Sequence, residues 1–311
     1  MSWSSLIKQL LPCWRMKDIK FIACDLDGTL LTDNKDILVS TYNSLMEAQK
    51  RGIRLILASG RNSAMIAPYA EKLQLDVHGG YMVGCNGHHF IDAQTGSRIE
   101  NESIDMETSA RLFEFAKKHH LQFLAEHARG FYVYVPKSLF PIKILVGYLK
   151  QRHKLKRKHQ GDYSVLGGFT MSSQAYVKSV NKPTDIKENC IKIGITHFPR
   201  VIKWALSNMD TDLKERLNVM NVTSYWIDIM PKGIDKSAAI EHILNINGFG
   251  FESLMAFGDA ENDIGMIKKA AIGIAMGNAM DLIKENADQI TQSNEENGIG
   301  LVVDRLLKSI L

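Results

Sequence analysis

Short hydrophobic runs, each followed at once by a polar or glycine-containing turn, recur near both ends of the chain. The runs have strand length and consist largely of aliphatic residues. They occupy Lys20–Cys24, Ile53–Ala58, Tyr81–Cys85, Leu254–Phe257 and Ala271–Ala275. Continuous runs of this kind, rather than alternating ones, predict strands that are buried on both faces, as in a parallel sheet.

Segments of helix length separate these runs. They lie at Ser40–Arg51, Ser63–Leu73, Lys236–Asn247 and Asn262–Ala270. Strands that alternate with helices predict an α/β fold with a doubly wound, Rossmann-like parallel-sheet core. Ligand sites in such sheets lie at the carboxyl ends of the strands, so the polar turns after the runs are the candidate functional positions.

The middle of the chain has a different pattern, because strands and helices no longer alternate regularly. The predicted elements there are a helix at Glu107–His120, a hairpin of Leu121–Glu126 and Gly130–Val135, a strand at Ile191–His197, a helix around Arg200–Leu217 and two short strands ending at Met230. This pattern predicts an inserted α+β domain. The sequence therefore predicts a core formed by residues 1–87 and 231–311, with an insertion at residues 88–230.

The composition is that of an ordinary globular protein with one large domain or two smaller ones. Of the 311 residues, 45% are hydrophobic and 23% are charged, which argues against a disordered, collagen-like or coiled-coil chain. The formal net charge is only +4, so no nucleic-acid partner is expected. The four cysteines lack metal-ligand spacing, which suits a reduced, cytoplasmic protein. No apolar run approaches the roughly 20 residues that span a bilayer.

Two segments stand apart from this pattern. Residues 1–16 contain a short apolar stretch that Lys8 interrupts, and no small-residue cleavage site follows it. We therefore expect an extension or a short amphipathic arm rather than a signal peptide. Residues 151–160 carry the one concentrated basic patch of the sequence. This patch is expected to be a solvated helix face or loop, and contact with a polyanion or an acidic substrate is the alternative.

Two acidic clusters follow predicted strands. Asp25 and Asp27 come after the first run, and residues two apart in a strand point the same way. Gly28 lets the backbone turn sharply, and Asp259 and Asp263 follow a later run. Two carboxylates in a half-buried site repel each other unless a cation lies between them. A lone Asp-x-Asp-Gly is a common polar turn, but two acidic strand ends in one sheet form a site that suits Mg²⁺.

An anion-binding turn and a lysine complete this set of groups. Ser59, Gly60 and Arg61 offer a hydroxyl group and backbone N–H groups at a strand-to-helix turn, a geometry that binds phosphate. Lys236 lies at the start of a predicted helix and supplies a compact positive charge. A metal, an anion cradle, a positive charge and two acids are what phosphoryl transfer needs, because its catalysis is mostly positioning and charge neutralisation.

The order of the motifs resembles that of the haloacid dehalogenase-like hydrolases, and most of all the Cof-type phosphatases. The motifs are Asp-x-Asp-Gly-Thr-Leu from Asp25, Ser-Gly-Arg from Ser59, Asn-Gly at Asn86, Lys-Gly-x-x-Lys ending at Lys236 and Gly-Asp-x-x-Asn-Asp from Gly258. The insertion at residues 88–230 lies where that family places its α/β cap, which selects the substrate. The resemblance implies a phosphoric monoester hydrolase that acts on small phosphorylated metabolites. Sugar phosphates are the default substrate class, with flavin or pyridoxal phosphates as other candidates.

The resemblance also implies a role for each site residue. Asp25 would be the nucleophile that forms an aspartyl-phosphate, and Asp27 the general acid and later the general base. The cofactor would be Mg²⁺, bound by the Asp25 and Asp259 carboxylates and the Asp27 main-chain carbonyl. The groups that bind the phosphoryl oxygens, or offset their charge, would belong to Leu26, Ser59, Gly60, Lys236 and Asn262. Supporting positions would be Thr29 at the Asp27 turn, Arg61, and Asp263, which would bind a metal-bound water or orient Lys236.

Two other functions stay open at this point. A sugar phosphomutase on the same core would need a bisphosphate activator and would release little free phosphate. A non-catalytic regulator that binds a sugar phosphate is the second alternative, although the intact Asp25, Asp27, Ser59, Lys236 and Asp259 argue against it. The sequence indicates neither the physiological substrate nor the oligomeric state.

Overall fold

The helices and strands fall into two groups in the computed structural model, which describes residues 18–139, 141–142 and 176–310. One compact unit comes from Met1–Asn101 together with Ile234–Leu311, and the other from Glu102–Gly233, each in its described part. The N-terminal residues 1–16 and the basic run 151–160, singled out in the sequence, lie outside the described residues.

The strands of the described residues are short and mostly buried. In chain order they are β1 Phe21–Cys24, β2 Arg54–Ala58, β3 Tyr81–Gly84, β4 His89–Asp92, β5 Arg98–Glu100, β6 Gln122–His127, β7 Gly130–Tyr134, β8 Tyr176–Ser179, β9 Lys192–Thr196, β10 Leu217–Thr223, β11 Trp226–Pro231, β12 Leu254–Gly258, β13 Ile272–Ala275 and β14 Gln289–Ile290.

The α-helices of the described residues vary from one turn to three and a half turns. In chain order they are α1 Val39–Lys50, α2 Ser63–Lys72, α3 Leu75–His78, α4 Met106–Lys118, α5 Pro199–Asn208, α6 Thr211–Arg216, α7 Lys236–Ile246, α8 Ile264–Lys269, α9 Asp281–Asn286 and α10 Gly298–Ser309. No helix in the described part of the chain is long and apolar enough to cross a membrane.

The first unit is built on an eight-stranded sheet with the order β14-β13-β12-β1-β2-β3-β4-β5. The pairs from β14 to β3 are parallel, and β4 and β5 are added antiparallel. Every residue of β1 and β12 is buried, as expected where helices cover both faces of a parallel sheet. The predicted α/β core with a parallel sheet is confirmed.

The second unit is an α+β unit, as predicted for the insertion. Its six-stranded sheet has the order β10-β11-β9-β6-β7-β8, and all its pairs are antiparallel except β7 with β8. Alternate residues of the central strands, such as Ile193, Ile195, Ile227 and Ile229, are fully buried. They belong to a hydrophobic core that also includes residues from α4, α5 and α6, so one face of this sheet is covered by those helices.

One expectation about these elements was wrong, and two strands were not predicted at all. The helix around Arg200–Leu217 is in fact two helices, α5 and α6, because the chain becomes extended at Met209 and Asp210 caps the second helix. Leu217 then begins β10. The antiparallel strands β4 and β5 had no counterpart in the sequence prediction, since each has only three or four residues.

Candidate active site

The candidate site residues follow the strands in the centre of the first sheet. Asp25 comes directly after β1, Ser59 after β2 and Asp259 after β12. Because β12, β1 and β2 are neighbouring parallel strands, their carboxyl ends lie at one edge of the sheet. The Asp25 N–H still donates to the Phe257 carbonyl at 3.1 Å, so the sheet fixes the backbone up to the first acid.

Lys236 is fully buried and connects two of the acids. Its Nζ donates to Asp25 Oδ1 at 2.5 Å and to Asp263 Oδ1 at 2.7 Å. Lys236 is the first residue of α7, and the preceding Asp235 caps that helix by accepting the Ala238 N–H at 2.9 Å. Burial works to lower the pKa of the lysine ammonium group, but the two carboxylates outweigh it and raise that pKa. The lysine is therefore a fixed positive charge.

Asp25, Asp259 and Asp263 converge, with one carboxylate oxygen from each lying within 4.8 Å of the others. We call these residues and Lys236 the buried acidic cluster. Burial, followed by the charges of Asp263 and Asp259, raises the pKa of Asp25 well above its ordinary value, although Lys236 opposes this. Burial and the charge of Asp263 raise the pKa of Asp259 to about 7. Three acids thus face one lysine, so the cluster favours an additional positive charge.

Asp263 differs from the other two acids because both of its oxygens already accept hydrogen bonds. Oδ1 accepts from Lys236, and Oδ2 accepts the N–H groups of Asp259 and Ala260 at 3.0 Å each. Of the two roles expected for Asp263, the geometry favours orienting Lys236. It also holds the turn that carries Asp259.

The donor set of Asp25 and Asp259 fits a hard divalent cation such as Mg²⁺. All the available ligands are carboxylate oxygens, which Mg²⁺ prefers, and one lysine cannot balance their charge. Thr29 donates its hydroxyl to Asp259 Oδ1 at 2.6 Å, which orients that carboxylate. Gly28 has φ +82°, and a Cβ there would lie 2.5 Å from Asp259 Oδ2. Glycine is therefore required at position 28, both by the left-handed backbone and by the closeness of Asp259.

Asp27 lies in a separate group of charges that we call the Asp27 clamp, formed with Arg61 and Lys35. Arg61 binds both carboxylate oxygens, with Nε–Oδ2 at 2.7 Å and Nη2–Oδ1 at 2.5 Å. Lys35 Nζ lies 2.6 Å from Oδ1. Burial works to raise the pKa of Asp27, but the hydrogen bonds and charges of Arg61 and Lys35 hold it below its ordinary value. The clamp therefore favours the ionised carboxylate.

The predicted phosphate-binding residues occupy the turns around the same strand ends. Ser59 is buried, and its Oγ accepts the Arg61 N–H at 3.2 Å. Ser59 and Gly60 precede α2, whose N-cap Asn62 accepts the Met65 N–H at 3.1 Å. Leu26 is buried directly after Asp25, and Asn262 follows Asp259 in the turn before α8. Contact of these groups with a phosphoryl group stays a prediction.

The sequence pattern predicted no role for Lys35, Asn86 or Asp235. Lys35 has φ +65°, which is unusual for a residue with a side chain. Its carbonyl accepts the Tyr69 hydroxyl at 3.2 Å. Nothing in the local sequence indicates that this lysine turns back onto Asp27. For Asn86 a signal existed in the Asn-Gly pair, and for Asp235 in its place before a helix.

Comparison with known proteins gives consistent results over nearly the whole chain. Residues 22–303 match the family described as haloacid dehalogenase-like hydrolase. A 5-amino-6-(5-phospho-D-ribitylamino)uracil phosphatase of Bacillus subtilis is 28% identical over 287 residues, which cover 92% of this chain and 95% of the relative. A pyridoxal phosphate phosphatase of Escherichia coli is 26% identical over 288 residues, which cover 90% and 96%.

The fold is also similar to solved structures. A haloacid dehalogenase-like hydrolase from Bacteroides thetaiotaomicron has a TM-score of 0.71 and 29% sequence identity to this chain. The similarity covers 93% of this chain and 99% of that structure. Sequence and fold comparisons therefore lead to the same family.

Proposed function

We infer the function of this chain from its family, because it belongs to the haloacid dehalogenase-like hydrolases, in their Cof-type branch, and is a phosphoric monoester hydrolase. From this membership and the site geometry, we propose that it is a Mg²⁺-dependent phosphatase working through an aspartyl-phosphate intermediate. Its substrates would be small phosphorylated metabolites, with sugar phosphates as the preferred class. The observation that carries the proposal is the buried acidic cluster, in which Lys236 lies between Asp25 and Asp263.

In the first step, an oxygen of Asp25 attacks the phosphorus atom of the ester. The bond from phosphorus to the leaving oxygen breaks, and that oxygen takes a proton from the protonated form of Asp27, which the Asp27 clamp disfavours and which the second step regenerates. Lys236 holds the Asp25 carboxylate in place and offsets its repulsion of the anionic phosphate. Mg²⁺, bound by the Asp25 and Asp259 side chains and the Asp27 carbonyl, would supply the additional positive charge that the cluster favours.

In the second step, ionised Asp27 takes a proton from a water molecule, whose oxygen attacks the phosphorus atom of the intermediate. The bond between phosphorus and the Asp25 oxygen breaks, which releases inorganic phosphate and restores the carboxylate. The Asp27 clamp supports this step, because Arg61 and Lys35 favour the ionised form of Asp27 that acts as a base.

We propose that chemistry and substrate choice are divided between two parts of the chain. Residues 1–87 and 231–311 would form the catalytic core, since all the predicted site residues lie in these segments. Of the predicted insertion 88–230, residues 88–101 belong to the first unit with β4 and β5, so residues 102–230 would form the cap that determines the substrate. The family resemblance supports this division, and exchange of the cap segment with that of a relative of different specificity would test it by changing the preferred substrate.

The proposed activity is tested with a panel of phosphate monoesters at neutral pH, with Mg²⁺ or with EDTA. The panel includes sugar phosphates, pyridoxal phosphate and a ribitylamino-pyrimidine phosphate, because relatives act on the last two types. We expect release of inorganic phosphate that requires Mg²⁺ and falls by at least about 10³-fold in Asp25→Asn. Asp76→Asn is the matched control, since Asp76 is exposed in α3 before β3 begins.

Three results would contradict the proposal. Undiminished phosphate release by Asp25→Asn would exclude this nucleophile. Transfer between sugar hydroxyl groups that needs a bisphosphate would identify a mutase. Binding of a sugar phosphate without turnover would identify a regulator.

We also propose a cytoplasmic location. The described cysteines Cys24, Cys85 and Cys190 are buried thiols, as is usual for proteins of a reducing compartment. Cell fractionation with an antibody to the protein tests this, and recovery from an exported fraction would contradict it.

A further inference from the structure

The turn that follows β3 has an unusual backbone. Cys85, Asn86 and Gly87 have φ values of +49°, +53° and +99°. Left-handed backbone is unfavourable for residues with a Cβ and occurs mostly as single residues. Such conformations persist when the surrounding structure enforces them, and they concentrate at functional sites. The contacts of this turn therefore indicate which neighbouring parts of the site it positions.

The backbone of the turn is hydrogen-bonded to the predicted phosphate-binding loop after β2. The Cys85 N–H donates to the Arg61 carbonyl at 2.8 Å, and the Asn86 N–H donates to the Ser59 carbonyl at 3.0 Å. The two acceptor residues lie directly before and after Gly60 in the sequence. The left-handed turn thus holds the loop whose N–H and hydroxyl groups are predicted to bind the phosphoryl oxygens.

The side chain of Asn86 reaches a second part of the site. It is fully buried, and its Oδ1 accepts a hydrogen bond from Asn262 Nδ2 at 3.0 Å. A Cβ at Gly60 would lie 3.1 Å from the same Oδ1. One amide oxygen therefore lies between the phosphate-binding loop and Asn262, which is also predicted to bind phosphate.

Gly87 makes the turn approach a third part of the site. A Cβ at this position would lie 2.1 Å from the Asp235 carbonyl oxygen and 3.1 Å from the backbone nitrogen of Lys236. No side chain fits there unless the first turn of α7 moves. The turn is therefore packed directly against the residue that places Lys236.

We propose that Asn86 is a positioning residue for phosphate binding, acting through the Ser59–Arg61 loop and Asn262. Its left-handed backbone brings the N–H to Ser59 and the Oδ1 to Asn262 at the same time. The inference rests on the proposed phosphatase function, since it takes the phosphoryl group as the ligand of these segments. It adds a residue from the turn after β3 to a site otherwise formed after β1, β2 and β12 and at the start of α7.

The variant Asn86→Gly separates this role from a purely structural one. Glycine adopts the left-handed backbone more easily than asparagine, so a role in the turn alone is preserved. The Oδ1 acceptor is lost, and Asn262 is no longer held. Asn297→Gly is the matched control, because Asn297 also has a positive φ of +61° and its Oδ1 also accepts a hydrogen bond, from Thr41 at 2.9 Å.

The measurement is the affinity for inorganic phosphate in the presence of Mg²⁺, by calorimetry, together with kcat and KM for a chromogenic phosphate ester. We expect Asn86→Gly to weaken phosphate binding and raise KM by about tenfold, as for the loss of one hydrogen bond. Asn297→Gly should change neither. In a double-mutant cycle, the variant with both Asn86→Gly and Asn262→Ala should lose no more phosphate affinity than the more affected single variant. The reason is that both substitutions remove the same hydrogen bond.

Unchanged phosphate affinity in folded Asn86→Gly would overturn the inference, as would equal losses in the two glycine variants or strictly additive losses in the cycle. If Asn86→Gly does not fold, Gly60→Ala tests the same contact, and its added methyl group should also weaken phosphate binding. Calorimetry keeps the two proposals apart, since a wild-type protein that binds phosphate but hydrolyses no ester contradicts only the phosphatase function. Absence of phosphate binding in the wild type would contradict the inference as well.

Discussion

Asp25 and Asp27 are two residues apart, yet they lie in two regions with opposite charge balance. In the buried acidic cluster, three acids face one lysine, and the pKa of Asp25 is raised. In the Asp27 clamp, Arg61 and Lys35 face one acid, and the pKa of Asp27 is lowered. The first region favours a bound cation and the second already contains its cations. The difference shows how one short motif can supply a metal-binding nucleophile and a separate proton-transfer group.

Removal of the single lysine should disturb the acidic cluster most. Lys236→Met leaves Asp25 and Asp263 without their buried partner, so we expect kcat/KM to fall about 10²–10³-fold. The free energy of unfolding without metal should fall by about 3–5 kcal/mol. Enzyme assays and urea unfolding measure the two effects. Lys232→Met, at an exposed position in the preceding turn, is the control, and similar losses in both variants would contradict the prediction.

Magnesium ions should stabilise the protein through the buried acidic cluster and not through the Asp27 clamp. At a Mg²⁺ concentration 100 times the dissociation constant, the free energy of unfolding should rise by about 2.7 kcal/mol. Asp259→Asn should abolish this rise, because it removes a proposed ligand. Asp27→Asn should preserve it, because only the main-chain carbonyl of Asp27 is a proposed ligand. Urea unfolding over a Mg²⁺ titration measures the rise, and its loss in Asp27→Asn alone would reverse the assignment of the two regions.

The smallest effect is expected in the clamp. Asp27 has a lowered pKa, so its ion pairs stabilise the fold above the ordinary carboxyl pKa of about 3.9. That stabilisation is lost as the pH falls through the lower pKa of the folded state. Because the Asp27 side chain is 43% exposed, Lys35→Met should cost less than about 1 kcal/mol at pH 7.

The measurement for the clamp is urea unfolding of wild type and Lys35→Met at several pH values. The difference in free energy of unfolding should be present at neutral pH and disappear as the pH falls through the lowered pKa of Asp27 in the folded state. Lys72→Met, at an exposed position in α2, controls for the loss of a surface charge. A difference that grows as the pH falls would show that Lys35 does not act through Asp27.

The sequence was sufficient to predict the buried acidic cluster because strand geometry determines it. Asp25 and Asp259 each follow a continuous hydrophobic run, and neighbouring parallel strands bring such positions to one edge. Their carboxylates do converge, although they are far apart in sequence. The alternation of strands and helices was also predictable, because hydrophobic runs and helix-length segments are visible in short stretches of sequence.

The Asp27 clamp and the strands β4 and β5 could not be predicted in this way. The clamp depends on the left-handed backbone at Lys35 and on the Tyr69 hydroxyl, which comes from α2. The strand β4 begins with His89 and has only four residues, so its pairing with β3 depends on tertiary contacts. The break between α5 and α6 at Asp210 was missed for a related reason, since Asp is tolerated within helices but is preferred as a cap.

The position of β1 in the sheet has a consequence for synthesis of the chain on the ribosome. Its neighbours are β2, which follows soon after it, and β12, which is made only after the whole second unit. Until residues 254–258 emerge, one edge of this hydrophobic strand has no partner, and the nascent protein exposes a surface prone to aggregation. Lys236 and Asp259, the partners of Asp25 in the site, are also made only after the second unit. A shortened chain that ends before them therefore has neither a complete sheet nor the groups for catalysis.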